Sequence, residues 1–214
     1  MSEKINTKKI YYIKIILLGE TGVGKTNLIN IYLDKEYNDY EMPTTDSNQS
    51  YKTIKIKNNI LKITFWDTMG QERHRAITKS FIKGSNIVIF VYDITRRETF
   101  LELNYWINTS LEILENEEVI FGISANKSDL FFRSEVNKEE GEQYANNINA
   151  LFSETSAKIN PDGFKIFVEE LLEKLISKPQ IFEKIDQENY GSTNSFYLDN
   201  NINNIKKENK KCCV

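Results

Sequence analysis

The segment Gly19-Glu20-Thr21-Gly22-Val23-Gly24-Lys25-Thr26 carries the spacing G-x-x-x-x-G-K-[S/T], and these residue types at this spacing bind phosphate. Gly19, Gly22 and Gly24 permit backbone conformations that a Cβ resists, so successive N–H groups can converge on phosphate oxygens. Lys25 would reach the β- and γ-phosphates and Thr26 would offer its hydroxyl to Mg2+. A helix beginning here would aim its positive dipole end at the same anion. The pattern alone does not separate ATP from GTP.

Such a loop has meaning only between a strand and a helix, and both flanks comply. Ile10 to Leu18 is an almost unbroken apolar and β-branched run, as a buried parallel strand should be, and Leu28, Ile29, Tyr32 and Leu33 then recur at helical spacing. Tyr37 to Ser50 is polar, rich in Thr, Asp and Asn, and reads as a mobile loop. Tyr51 to Ile56 and Leu61 to Trp66 alternate as two strands joined through Asn58-Asn59, one antiparallel pair. The second strand runs into Asp67-Thr68-Met69-Gly70 and the polar stretch Gln71 to Lys83, a common setting for a catalytic loop.

Ile87 to Tyr92 and Val119 to Ile123 read as buried strands, with a helical stripe of Leu103, Trp106, Ile107, Leu111 and Leu114 between them. Asn126-Lys127-Ser128-Asp129 follows the second of these strands. Lys138 to Asn147 is a helix, Leu151 to Glu154 a short strand, and Asn160-Pro161 a helix start with Pro at its first position. Phe164, Phe167, Val168, Leu171, Leu172, Leu175 and Ile176 then form an apolar stripe that ends before Pro179. The alternation predicts an α/β fold: a mostly parallel six-stranded sheet with one antiparallel strand and helices on both faces. Ligands of such folds bind at the carboxyl ends of the strands, where Thr26, Asp67 and Asn126 all lie.

A length of 214 residues suits one domain and a tail. The net charge of −3 and pI near 5.5 leave no general nucleic-acid footprint. Met1 to Lys9 lacks the apolar core of a secretory signal, and no apolar run approaches a membrane span, so synthesis in the cytosol is expected. Cys212 and Cys213, the only cysteines, are adjacent near the end of the chain and build no disulfide framework. From Pro179 onward the composition turns to Asn, Lys, Ser and Glu and reads as a disordered tail.

Five blocks stand in order: the loop with Lys25 and Thr26; Thr44; Asp67-Thr68-Met69-Gly70-Gln71-Glu72; Asn126-Lys127-Ser128-Asp129; and Glu154-Thr155-Ser156-Ala157-Lys158. With them the chain resembles the Ras superfamily of small GTPases, nearest to its Rab branch, over residues 10 to about 178. The resemblance implies a P-loop NTPase G domain over residues 10–178, a flexible 1–9 and a hypervariable tail over 179–214. It also implies a monomer without nucleic-acid partners that binds GTP or GDP with Mg2+ and hydrolyses GTP.

By the same resemblance, Asp129 accepts two hydrogen bonds from the N1 and N2 edge of guanine, which adenine cannot supply. Asn126 braces the loop, the Lys127 stem covers one face of the base, the Ala157 N–H meets O6 in company with Ser156 and Lys158, and Tyr37 packs nearby. Gly19, Thr21, Gly22, Val23, Gly24, Lys25, Thr26 and Asn27 surround the phosphates. Thr26, Thr44 and Asp67 hold Mg2+, Thr44 and Gly70 sense the γ-phosphate, and Gln71 orients the attacking water. Two loops ordered by GTP and loosened by GDP would form the switch that effectors read.

Five positions depart from the Rab pattern: Thr45-Asp46 replace Ile-Gly, Gln49 replaces Phe, Met69 replaces a small residue, and His74 replaces an aromatic. They leave open a second reading, a GTP-binding scaffold that hydrolyses poorly or another Ras-like signalling GTPase. Cys212-Cys213-Val214 resembles endings that receive two geranylgeranyl groups, and Lys206, Lys207, Lys210 and Lys211 add attraction to anionic lipid. The expected setting is the cytoplasmic face of an intracellular membrane, in vesicle traffic, with exchange with the cytosol. An exchange factor, an activating protein and a GDP-dissociation inhibitor complete the expected partners. The tail would be a tether spanning roughly 30–36 Å.

Overall fold

The apolar run before the phosphate-binding loop is strand β1 (Ile10–Leu18) in the computed structural model of the chain, which describes residues 9–39, 42, 44, 48–56, 59–68, 75–115 and 117–178. β1 pairs in parallel with β3 (Asn59–Asp67) on one side and β4 (Ile87–Asp93) on the other. β5 (Ile120–Asn126) and β6 (Leu151–Thr155) continue the parallel sheet, while β2 (Asn48–Ile56) lies antiparallel on the outer edge of β3. The order is β2-β3-β1-β4-β5-β6. The chain leaves β1 toward β3 and then returns across it to β4, so the order reverses around β1. That reversal is where an open α/β sheet forms its ligand crevice.

Burial follows position in the sheet. Every residue of central β4 is buried, which requires a continuous apolar run, whereas edge strand β2 alternates between partly and fully exposed residues. The alternating pleat of β1 serves two cores. Ile13, Ile15 and Leu17 face Leu28 of α1 (Lys25–Tyr32) and the Phe164, Phe167, Leu171 stripe of α6 (Pro161–Ile176). Ile16 and Leu18 face the opposite layer, with Ile82 of α2 (Arg75–Ile82), Phe100 of α3 (Arg97–Leu101), Trp106 of α4 (Leu103–Ile113) and Ala145 of α5 (Lys138–Asn147). The mostly parallel sheet with one antiparallel strand and helices on both faces is therefore the fold. Side-chain caps set two helix starts: Asn137 Oδ1 accepts from the Glu140 N–H at 2.7 Å, and Asn160 Oδ1 accepts from the Gly163 N–H at 3.1 Å, with Pro161 opening α6.

Several local expectations shift. β2 begins at Asn48, three residues before the alternating run, because its pairing with β3 continues through Asn48 opposite Asp67. Ile56 pairs with Asn59, so Asn59 belongs to a strand and the hairpin connection is residues 57–58, which lie outside the described residues. The stretch read as a polar loop over 71–83 contains helix α2. Its charged composition hid it, yet Phe81 stacks near Trp66 at 5.0 Å and Ile82 is fully buried. β4, β5 and β6 each run past their apolar residues, because ladder pairing continues through Asp93, Asn126 and Thr155. Leu111 falls outside the buried stripe of α4 at 48% exposure, and Ser110 is buried instead, its hydroxyl donating to the Trp106 carbonyl at 2.8 Å. α3 and a 3₁₀ segment, Ser128–Arg133, had no periodic signal. Among the described residues no helix is long and apolar enough to cross a membrane.

Candidate functional site

Where β1 ends, the chain turns through Gly19 at φ 147°, Gly22 at 79° and Gly24 at 98° before α1 begins at Lys25. A Cβ on Gly19 would overlap the Val91 carbonyl oxygen, so the close approach of the loop to β4 demands glycine there. Gly24 caps α1 with left-handed backbone and no side-chain hydrogen bond, and no acidic residue stands in the first turn. The first N–H groups of α1 and its dipole are thus presented toward an anion rather than toward a protein side chain.

Lys25 is buried and spans this loop, its Nζ donating to the carbonyls of Gly19 at 2.8 Å and Glu20 at 3.1 Å. Burial pushes its pKa down to about 8 against the upward pull of Asp67 and Glu20, so the ammonium sits where an added anion would hold its proton. Thr26 Oγ1 donates to Asp67 Oδ2 at 2.7 Å and lies 3.1 Å from Thr44 Oγ1. β3 brings Asp67 there, and the Thr68 hydroxyl locks the strand end to the Leu17 carbonyl at 2.7 Å. Oxygens from three separate segments therefore meet at one point.

The other wall is built at the ends of β5 and β6. Asn126 Nδ2 donates to the Val23 carbonyl at 2.8 Å, and Asn126 Oδ1 accepts from the Thr155 hydroxyl at 3.2 Å. Ser156 Oγ donates to Asp129 Oδ1 at 2.6 Å and accepts from the Ile159 N–H at 3.2 Å, which fixes the carboxylate. Lys127 turns back at φ 64° and places Nζ 2.6 Å from Asp93 Oδ2. Burial would raise the Asp93 pKa, but hydrogen bonds from Lys127 and Thr95 outweigh it and hold the carboxyl below its usual value.

Between these walls lies a cavity of about 370 Å³, within the range that holds small ligands. Thr21, Gly22, Gly24, Lys25 and Thr26 line one end, with the Thr21 Oγ1 buried and lacking a hydrogen-bond partner among the described residues. Asn126, Lys127, Asp129, Ala157 and Lys158 line the other, and Tyr37 and Thr44 close a side. Orphaned hydroxyl, buried ammonium and uncapped helix start suit the phosphates of a nucleotide, and the fixed Asp129 carboxylate suits a base edge that donates hydrogen bonds.

Two predicted residues, Val23 and Ser156, stand behind the cavity lining, and Asn27 lines the cavity while its side-chain amide is committed elsewhere. Val23 is core, and only its carbonyl takes part. Asn27 is committed to the following loop, donating to the Asn38 carbonyl at 3.0 Å and accepting from the Asn38 N–H at 3.2 Å. Ser156 acts through Asp129. Gly70, Gln71, Met69, His74, Thr45, Asp46, Cys212 and Cys213 lie outside the described residues.

Other contributors carried no motif. Asp39 accepts from Lys158 Nζ at 2.9 Å and from the Tyr37 hydroxyl at 3.1 Å, closing the rim at the base end, and burial followed by that Asp39 bond raises the Tyr37 pKa. Met42, Thr68 and Leu130 also line the cavity. Asp93 and Arg96 flank the phosphate loop, and Trp106 donates to Glu20 Oε1 at 3.2 Å. Asp93 repeats the signal of Asp67, an acid at the end of a buried strand; Arg96 had none.

The Ras family model matches residues 14–178. Ras-related protein Rab-18-B of Danio rerio is 37% identical over 179 residues, covering 84% of this chain and 86% of the relative. Ras-related protein Rab-18 of Lymnaea stagnalis is 35% identical over 171 residues, covering 80% and 84%. Together with the glycine-lysine loop and the Asn126–Asp129 loop facing one cavity at the reversal of a parallel sheet, these matches show that the chain belongs to the Ras family of small GTPases, in its Rab branch.

Proposed function

We propose that this chain is a Rab-type GTPase: residues 10–178 bind and hydrolyse GTP, and residues 179–214 tether them to a membrane in vesicle traffic. The observation that carries this reading is the Asn126 side chain, which joins the Val23 carbonyl of the phosphate loop to the Thr155 hydroxyl beside the base loop. Phosphate and guanine recognition are thereby held on one rigid frame. Lys25 balances charge on the β- and γ-phosphates, and Asp129, steadied by Ser156, accepts from guanine.

The Thr26, Thr44 and Asp67 oxygens suit Mg2+, which takes hydroxyl, carboxylate and phosphate oxygens in preference to an all-protein cage. Among the described residues no group of three or more His, Cys, Asp and Glu stands ready for a different metal. When bound, Mg2+ supplies charge neutralisation at the phosphate oxygens. Thr44 and Gly70 follow the γ-phosphate, and Gln71 orients the attacking water. Effectors, an exchange factor, an activating protein and a GDP-dissociation inhibitor are the partners such a switch requires.

The test is displacement of bound GDP by GTP or ATP, followed by single-turnover hydrolysis in the unmodified chain and in Gln71→Leu. GTP should displace GDP and ATP should not; hydrolysis should be slow in the parent and roughly tenfold slower or more in the variant. ATP competing at comparable concentration would overturn the assignment. Equal rates in two GTP-loaded proteins would favour the hydrolysis-poor scaffold.

For the tail, geranylgeranyl groups on Cys212 and Cys213 make a stable anchor, since two chains hold where one is marginal. Replacing both cysteines by serine should move the protein from the membrane to the soluble fraction. Unchanged fractionation would remove the lipid anchor from this account.

A further inference from the structure

The tip of the phosphate loop is its least supported part. Glu20 is tied to Trp106, Val23 to Asn126, and Lys25 closes the loop from within. At the tip, Thr21 and Gly22 carry no core side chain, and Gly22 has the positive φ that makes a backbone costly to hold in one conformation. Among the described residues, the Arg96 side chain reaches it from outside. Arg96 Nη2 donates to the Thr21 carbonyl at 2.9 Å, and it is the nearest atom, at 3.7 Å, to the place a Gly22 Cβ would occupy.

The other edge of the same guanidinium faces a buried carboxylate as an ion pair, without a hydrogen bond. Arg96 Nε lies 3.4 Å from Asp93 Oδ2, the oxygen that also takes Lys127 Nζ at 2.6 Å. Asp93 Oδ1 accepts from the Thr95 N–H at 2.9 Å and the Thr95 hydroxyl at 2.7 Å, and the Asp93 side chain is only 2% exposed. A fully bonded, buried carboxylate is a rigid post. Arg96 therefore links the Thr21 carbonyl, through a hydrogen bond, to the carboxylate that also seats Lys127, through an ion pair.

We propose that Arg96 is a positioning residue for nucleotide retention: it fixes the phosphate-loop tip through the Thr21 carbonyl, so that bound guanine diphosphate leaves only when this tie is broken. The inference rests on the guanine-nucleotide reading above. Two features make arginine the fitting residue. Its planar fork donates to the Thr21 carbonyl from one edge while the other faces Asp93, which a lysine ammonium cannot do from one position. Its charge also adds to that of Lys25 at the phosphate end of the cavity.

The experiment measures release of fluorescent GDP and fluorescent IDP from the full chain, from Arg96→Ala and from Arg96→Lys, with thermal midpoints taken at saturating GDP. Arg96 is partly exposed, at 38% of its side chain, so the variants should fold. Losing a charge-assisted bond should speed GDP release about tenfold in Arg96→Ala, with Arg96→Lys intermediate. The ratio of GDP to IDP release should stay unchanged, because the tie acts on the phosphate loop and leaves Asp129 and its base contacts intact. An unchanged release rate would overturn the proposal. So would a changed ratio, which would move the effect to the base loop, or a rate increase in Arg96→Lys as large as in Arg96→Ala. If the parent chain failed to retain GDP at all, the nucleotide reading would fall and this inference with it; retention by the parent with no effect of Arg96 would remove the inference alone.

Discussion

Asp129→Asn is expected to lower affinity for GDP and GTP by about 10³-fold and to transfer preference to xanthine nucleotides. Guanine offers two donors, N1–H and N2–H, on the edge that faces this loop. A carboxylate accepts both, and hydrogen bonds to a charged group contribute about 1.5–3 kcal/mol each. The asparagine amide turns one acceptor into a donor, which faces the guanine N2–H donor and loses its bond. Xanthine carries a carbonyl oxygen at that position and accepts from the same amide.

The structure makes the substitution a clean test, because Asp129 is held by the Ser156 hydroxyl at 2.6 Å and, among the described residues, pairs with no cation. A serine hydroxyl can donate to a carboxylate oxygen or to an amide oxygen, so the asparagine should keep the side-chain orientation. Displacement of fluorescent GDP by GTP and by XTP measures both halves. If GTP still competes as well as in the parent, Asp129 does not read the base.

Gly24→Ala is expected to abolish tight nucleotide binding and to lower the thermal midpoint by about 10 °C, the effect of about 3–4 kcal/mol in a domain of this size. Two causes add. Gly24 sits at φ 98°, where an L side chain costs about 1–2 kcal/mol. Its new Cβ would overlap Asn126 Nδ2, and displacing that amide breaks the bond to the Val23 carbonyl and leaves a buried acceptor unpaired, a further cost of about 1–3 kcal/mol. The same displacement moves the phosphate loop against the base loop, so binding is lost along with stability.

Gly84→Ala separates the causes. Gly84 also has positive φ, at 70°, but nothing lies within 4 Å of its would-be Cβ. It should show only the backbone strain, a drop of about 3 °C, with nucleotide affinity untouched. Equal losses in the two variants would mean that strain alone, and not contact with Asn126, accounts for Gly24. Thermal melts and GDP titrations on the purified proteins give both quantities.

The sequence was most legible where chemistry constrains neighbours. Phosphate binding needs glycines, a lysine and a hydroxyl at fixed local offsets, and Gly19 to Thr26 displays them between a strand and a helix that the structure contains. Buried strands need continuous apolar runs, so β1 and β4 could be placed almost to the residue. Strand ends were less legible because Asp93, Asn126 and Thr155 are polar and remain in the sheet only by ladder pairing with their neighbours. α2 was hidden because it follows the polar run Gln71 to Arg75, and its packing through Phe81 and Ile82 shows only in the fold.

The sequence by itself determined which residue types meet at the cavity with the chemistry to take phosphate and base, since those offsets survive in any environment that keeps the strand-turn-helix units. Only the tertiary structure decided who holds those residues in place. Asn126 meets Val23 across 103 residues, Arg96 meets Thr21 across 75, and Lys158 meets Asp39 across 119. Such partners depend on the register that sets Asp93 beside Asn126 and Asn126 beside Thr155, and on the turn that points Lys127 back at φ 64°. Local spacing encodes a site's chemistry because reacting groups must match the ligand; its rigidity comes from pairs brought together by packing, which no local pattern records.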